Sequence, residues 1–464
     1  MEQDMLYRPR TTTAKRGRFS MHPTVKARHR RDVLAATVIV MALSAPAAAD
    51  QIPQGWEASN MTPVGYSGVE GRKGAFKMAV KKVNGRWYMY VSHLWHYGWS
   101  ILDVTDPRDP KFVKFIPGAD NTWNIQVTLH DNLMLTALQK SAVAWGANPA
   151  KPQDEGVLLW DISDPLEPKQ LSHWKTGAGG THRNSYPGGR YAYLSAAAPG
   201  YAGHILIILD VSDPRQPKEA GRWHMPGQKQ GEPKHGGPEG FHGPANISPD
   251  GKMASMGYSP GVINLDISDV ANPKLVGRLD FSPPFANVGS QSLHTVLPLW
   301  DRNLLYVSSE SSSERCNEAL QFAGLIDNRN PAQLRLISLF PLPAPPAGKR
   351  YKNFCEKGGR FGPHNVNQEI HLPDVEKLGN LIYLTYFNAG LRVYDIKDPI
   401  QPKETGWFVP PDPPANAGPL PRDVVTQTED VLVDTRGYIY VTDKNWGLWV
   451  LRYSGAGQPA PTDR

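Results

Sequence analysis

The sequence has no long apolar run. Its clearest apolar stretch, Val33 to Leu43, falls well short of the roughly 20 residues a bilayer-spanning helix needs. A mean hydropathy of -0.44 excludes a polytopic membrane protein. Charge of one sign is also missing from most of the chain. The net charge of +6 belongs to residues 1–49, which carry nine Lys/Arg against three Asp/Glu, while the remainder carries 41 of each. A phosphate-binding surface needs a concentrated positive field, so the balanced body argues against nucleic acid as a partner. No phosphate-cradling Gly-Lys-Ser/Thr loop and no dinucleotide fingerprint is present. Gly257-Tyr258-Ser259-Pro260-Gly261 has the spacing of a hydrolase elbow, but it leads into a strand rather than a helix and reads as a turn. Cysteine is scarce, Cys316 and Cys355 being the only two. In an exported chain an even pair reads as one disulfide. Closing its loop is worth roughly 4 kcal/mol in the chain-entropy model.

Glycine and proline, by contrast, are abundant at 43 each, which disfavours long helices. At the N-terminus, Arg28, Arg30 and Arg31 precede the apolar stretch, and Ala45-Pro46-Ala47-Ala48-Ala49-Asp50 follows it. A charged segment, a short apolar segment and a small-residue cleavage site form an export signal, cut before Asp50. Arg30-Arg31-Asp32-Val33-Leu34 also resembles the twin-arginine signal that exports folded, cofactor-loaded proteins. The expected organisation is a leader over 1–49, a linker over 50–60, one domain over 61–453 and a tail over 454–464, with the mature chain in the periplasm or at the cell surface and no stable membrane insertion.

Internal repetition sets the architecture. Asp103-Val104-Thr105-Asp106-Pro107 recurs as Asp161-Ile162-Ser163-Asp164-Pro165, Asp210-Val211-Ser212-Asp213-Pro214, Asp266-Ile267-Ser268-Asp269 and Asp395-Ile396-Lys397-Asp398-Pro399, with a worn copy at Asp327-Asn328-Arg329-Asn330-Pro331. Each copy reads as a turn in which Asp bonds backbone N–H groups and Pro presets φ. A single turn supplies too few oxygens for calcium. Alternating strands flank most copies, four to a unit, and describe propeller blades. The expected fold is all-β, a single seven-bladed β-propeller. Blade seven, from about Glu429 to Trp449-Val450, lacks its last strand, and Met61-Thr62-Pro63-Val64-Gly65 is expected to pair there and close the ring, which removes exposed edges.

These copies of apolar-x-Asp-[Val/Ile]-Ser-Asp-Pro-x-x-Pro resemble the LVIVD repeat of exported and cell-surface proteins. The resemblance spans about 61–453 and implies a propeller without assigning an activity.

Four successive blades place a histidine at the start of the strand expected to be innermost, several residues before a Pro-containing turn: His182, His242, His294 and His364. His371 competes with His364 for the blade-six position; His93, His96, His130 and His235 are read as bystanders. Four imidazoles without a thiolate point to Fe, Cu or Zn. Blades of a seven-fold ring are about 51° apart, so four neighbours leave open coordination positions toward blades seven, one and two. The plan is similar to that of carotenoid-cleaving oxygenases, whose propellers hold one iron with four histidines, although the blade sequences do not match. Glu239, Glu310 and Glu369 are candidates to orient the imidazoles, and Glu369 is also the candidate general base. The stretch from Ser311 to Gly362 is longer than a blade requires and reads as a lid or substrate-shaping loop.

The reading is therefore an exported metal-dependent enzyme, an oxidoreductase acting on a small organic substrate. The alternative is a non-catalytic binding scaffold for partner proteins or glycans. No pair of acids stands out for a glycosidase.

Overall fold

The structure is a computed structural model that describes residues 49–233, 240–259, 261–281, 293–318, 321–377 and 379–458. The leader through residue 48, together with Glu239 and His235, lies outside the described residues. Among the described residues no helix is long and apolar enough to cross a membrane.

The chain is an all-β, seven-bladed propeller built from antiparallel sheets. Blade one runs Ala75–Val83, Arg86–His93, Gly98–Asp103 and Lys111–Pro117, each strand pairing with the next. Blade five repeats this plan with Thr295–Leu299, Leu304–Ser308, Ala323–Asp327 and Arg335–Leu339. In blade three the innermost strand is reduced to two bridges, Thr181↔Ala196 and Ser185↔Tyr193. The ring closes as the repeat pattern implies: Met61–Ser67 pairs with Gly447–Tyr453 as the outermost strand of blade seven. Upstream, Glu57–Ser59 also forms a strand, against Lys403–Val409 of blade six. Part of the expected linker over 50–60 is thus a second belt across the closure.

Alternation along the strands decides which neighbour each residue meets. In His204–Asp210 of blade three, Ile205, Ile207 and Leu209 pack with Leu135, Val157 and Leu159 of blade two. Leu206 and Ile208 face the other way, onto Met256 and Ile263 of blade four. Such clusters join each blade to the next, and one of them carries Tyr90 of blade one onto Tyr440 and Val450 of blade seven. Burial is therefore shared around the whole ring, and no blade is complete without its neighbours.

The repeated Asp residues do what their turns require. Asp103 Oδ1 accepts from Thr105 N at 2.9 Å and Asp106 Oδ1 from Arg108 N at 3.0 Å. The same two bonds recur at Asp210 and Asp213, both at 3.0 Å. They recur again at Asp395 and Asp398, at 2.7 and 3.0 Å. One feature was not legible in the sequence. In all six repeats the pairing of the last two strands slips by one residue just before the first Asp, as between Ile101 and Leu102 or between Val393 and Tyr394. A bulge there sharpens the twist of the outer strand.

Cys316 and Cys355 are bonded, with Cα atoms 5.4 Å apart. The bridge staples the long segment of blade five and six, in which Phe354–Lys357 forms a short helix capped by Asn353.

Candidate metal centre

Backbone pairing puts the four histidines in register at one end of the blades. His182 N donates to Ser195 O at 2.8 Å, His294 N to Ser308 O at 2.8 Å and His364 N to Thr385 O at 2.9 Å. Each bond ties the start of an innermost segment to the end of the next strand. His242 follows Gly240–Phe241, which pairs with Met253–Ser259. The rings form a continuous row: centroids of His182 and His242 lie 4.7 Å apart, His242 and His294 4.5 Å, His294 and His364 4.9 Å. His371 is elsewhere, stacked 6.2 Å from His130, so the blade-six member of the row is His364.

What surrounds the row sets the chemistry of each ring. Gln139 Oε1 lies 2.5 Å from His182 Nδ1, Thr295 Oγ1 2.8 Å from His294 Nδ1 and Glu429 Oε2 3.3 Å from His364 Nδ1. The Gln139 oxygen holds a proton on His182 Nδ1 and leaves the lone pair on Nε2. Arg183 Nη1, which can only donate, lies 3.1 Å from His294 Nδ1 and makes that nitrogen an acceptor, and His364 Nδ1 has no hydrogen-bond partner. His242 Nε2 is buried and has no hydrogen-bond partner, an arrangement that costs free energy unless something occupies the space it faces. Burial drives all four imidazoles well below their ordinary pKa, and they are neutral at physiological pH.

Glu310 completes the group. Its Oε2 lies 3.5 Å from His294 Nε2 and its Oε1 3.7 Å from His364 Nε2. Ligand atoms of His242, His294 and Glu310 all fall within 4.8 Å of one another. Arg360 pairs with the same carboxylate and lies 4.0 Å over the Phe387 ring. Glu310, expected to orient the imidazoles, lies beside both His294 and His364. Glu429 stands on the Nδ1 side of His364, with Lys444 Nζ 2.9 Å from its other oxygen. Burial raises the Glu429 carboxyl above its ordinary value, and Lys444 and Arg360 pull it back.

Arg183 is the residue that sequence reasoning missed most completely. It is 2% exposed, and its guanidinium donates to Gly243 O at 2.8 Å, His294 O at 2.5 Å, Asn365 Oδ1 at 2.9 Å and Gln368 Oε1 at 2.8 Å. Four blades are thereby tied together directly beneath the imidazole row. A Cβ at Gly243, whose φ is +88°, would stand 2.2 Å from Arg183 O, so glycine there permits the close approach.

Glu369, the expected general base, is not brought to the row. Its carboxylate lies 2.9 Å from Lys77 Nζ and 3.7 Å from His371 Nε2, and Lys77 also reaches Asp430 at 3.3 Å. Ion pairing with Lys77 holds Glu369 below its ordinary value despite burial, which is unlike a base tuned toward neutral pH. His204 does reach the centre, its ring 6.4 Å from that of His182. It opens a third strand, so an argument confined to innermost strands passes over it. Burial holds it down at a pKa of about 4.

The row opens into a cavity of about 440 Å³, lined on its other sides by Trp123, Trp145, Phe76, Leu94, Ile125 and Phe241. Ser312 and Arg360, near the two ends of the long segment, also line it. Ser259 borders it as well, at the end of a strand, so the Gly-x-Ser-x-Gly spacing makes no strand-to-helix elbow.

With fold and geometry in place, the repeat can be identified. A model of the LVIVD repeat matches residues 189–224. The chain carries an LVIVD repeat. The matched segment is blade three from Tyr191–Ala197 to Lys218–Trp223. Among solved structures, this chain is similar to the periplasmic gluconolactonase PpgL of Pseudomonas aeruginosa, at 12% identity over 83% of this chain and 98% of that one, TM-score 0.48. The β-propeller domain of Cps50 (Swd1) from Myceliophteria thermophila matches at 10% identity over 82% and 96%, TM-score 0.48. A functionally unknown protein of Desulfotomaculum acetoxidans matches at 13% over 72% and 84%, TM-score 0.44. No curated protein matches the sequence.

Proposed function

We propose that this protein is an exported metal-dependent enzyme, an oxidoreductase that acts on a small organic substrate at a transition-metal ion held by His182, His242, His294 and His364, with Glu310 beside them. One observation carries the reading: four imidazoles stand in a continuous row with neighbouring centroids 4.5 to 4.9 Å apart, and the buried His242 Nε2 among them has no hydrogen-bond partner. Structural histidines satisfy themselves with neighbouring groups; His242 Nε2 does not. Rings bound to one ion through Nε2 have centroids separated by about 4.5–5 Å, given metal–nitrogen bonds near 2.0–2.1 Å, and the neighbouring pairs fall in that range.

Iron, copper or zinc fits the donor set. Such an ion would supply Lewis acidity and, as iron or copper, a redox couple. The chain's own residues then have separable tasks. Gln139 holds the His182 imidazole in its tautomer, Arg183 fixes the backbone at His294, and Glu310, paired with Arg360, lines the cavity where a substrate would bind. A cavity walled by apolar and aromatic side chains excludes bulk water from this end.

Elemental analysis of the purified mature chain tests the reading. About one equivalent of Fe, Cu or Zn per chain is expected, whereas a chain isolated without transition metal and unable to take any up would leave the binding scaffold as its function.

A further inference from the structure

The cavity beside the histidine row has two chemically distinct ends. We propose that its ligand is a small hydroxylated aromatic molecule, a phenol, whose ring packs against Trp123 and Trp145 and whose hydroxyl points at Glu310. The inference deepens the metal-dependent reading and rests on it for the chemistry, but not for the binding.

The aromatic end is built by side chains that contact one another at ring-packing distances. Trp123 and Trp145 have centroids 5.3 Å apart in an edge-to-face arrangement, and Trp95 stacks behind Trp145 at 6.2 Å. Trp123 lies 6.3 Å from the His182 ring and Phe76 lies 5.7 Å from the His364 ring, so aromatic surface flanks both ends of the imidazole row. Lys444 Nζ stands 5.2 Å from the Trp145 ring, which helps fix that indole in place. Preset rings of this kind favour a planar ligand, because offset and edge contacts between rings add to area burial.

The other end offers an acceptor. The Glu310 carboxylate lines the cavity beside His294 and His364, and the complementary group on a ligand is a hydrogen-bond donor. A carbohydrate would also offer donors, but it needs many polar partners along its body. Here most polar side chains of the wall are already engaged within the protein: Gln139 on His182, Arg183 on Gly243 and Asn365, Arg360 on Glu310 and Ser311, His204 with Ser195 and Ser312 on Glu318. Gln126 and Ser259 are the further polar side chains of the lining. A ligand with one hydroxyl and an aromatic body meets this lining better than a polyhydroxylated one. The volume of about 440 Å³ has room for a substituted ring.

Isothermal titration calorimetry of the mature chain with 4-methylphenol, toluene and methyl glucoside tests the proposal, with metal content measured on the same samples. The expected result is that 4-methylphenol binds at least tenfold more tightly than toluene, and that methyl glucoside shows no binding. Trp123→Leu, which keeps apolar bulk, is expected to weaken 4-methylphenol at least tenfold, and Trp123→Phe to restore most of the affinity. Equal affinity for toluene, preference for methyl glucoside, or unchanged binding in a folded Trp123→Leu chain would overturn the proposal. Binding of 4-methylphenol by a chain that neither holds transition metal nor takes any up supports it and sinks only the metal reading. Metal-loaded chain that ignores 4-methylphenol overturns it and leaves the metal reading intact.

Discussion

Replacing His242 and His294 together with alanine is expected to lower bound transition metal from about one equivalent to less than about a tenth, with the propeller still folded. These two residues occupy the middle of the row, and their ligand atoms share the 4.8 Å group with Glu310. Their removal leaves His182 and His364 at the ends, each 4.7 to 4.9 Å from a ring that is gone. Two separated imidazoles and a carboxylate already paired with Arg360 cannot close a site. The fold is expected to survive because backbone bonds, not the imidazoles, hold this register, and Arg183 keeps its bond to His294 O when that side chain is shortened. Replacing His130 and His371 with alanine removes a stacked imidazole pair outside the row, and is expected to leave metal content unchanged. Elemental analysis with circular dichroism reads both variants.

Arg183→Met is expected to be the most damaging single change near the site. The guanidinium has acceptors from blades four to six within hydrogen-bond distance, and the carboxylates of Glu310, Asp430 and Glu369 sustain its charge against burial, which lowers its pKa to about 10. Methionine fills most of the volume and leaves those acceptors buried and unpaired. Loss of one member of a buried charged network costs about 3–5 kcal/mol, and urea denaturation of the variant reads that loss directly. Because Arg183 also donates to the backbone at His294, metal is expected to be lost in parallel. Unaltered stability would show that the bonds to Asn365 and Gln368 are replaced by water.

The propeller and its closure were legible because a repeat declares itself several times over. Each Asp-x-Ser-Asp-Pro turn marks the same corner of the same four-strand unit, and a blade lacking its last strand asks for one from elsewhere in the chain. The four histidines were legible for the same reason: one per successive blade, at one position. Glu310 was named as a neighbour but not as part of the group, because its distance to His364 depends on how blades five and six splay. Arg183 adjoins His182 in the chain, yet its partners lie 60 to 185 residues away, and no local pattern announces such bonds. Glu429 was passed over because blade seven offers no histidine, although the same position supplies the carboxylate that meets His364 Nδ1. The strand at Glu57–Ser59 is only three residues long and carries no alternation to read.

X-ray diffraction recorded on either side of the absorption edge of the metal found in the purified chain tests the shared site most directly. One anomalous peak is expected within about 2.0–2.2 Å of the Nε2 atoms of at least His242 and His294. A peak elsewhere, or none in crystals of protein given iron, copper and zinc in turn, would contradict it.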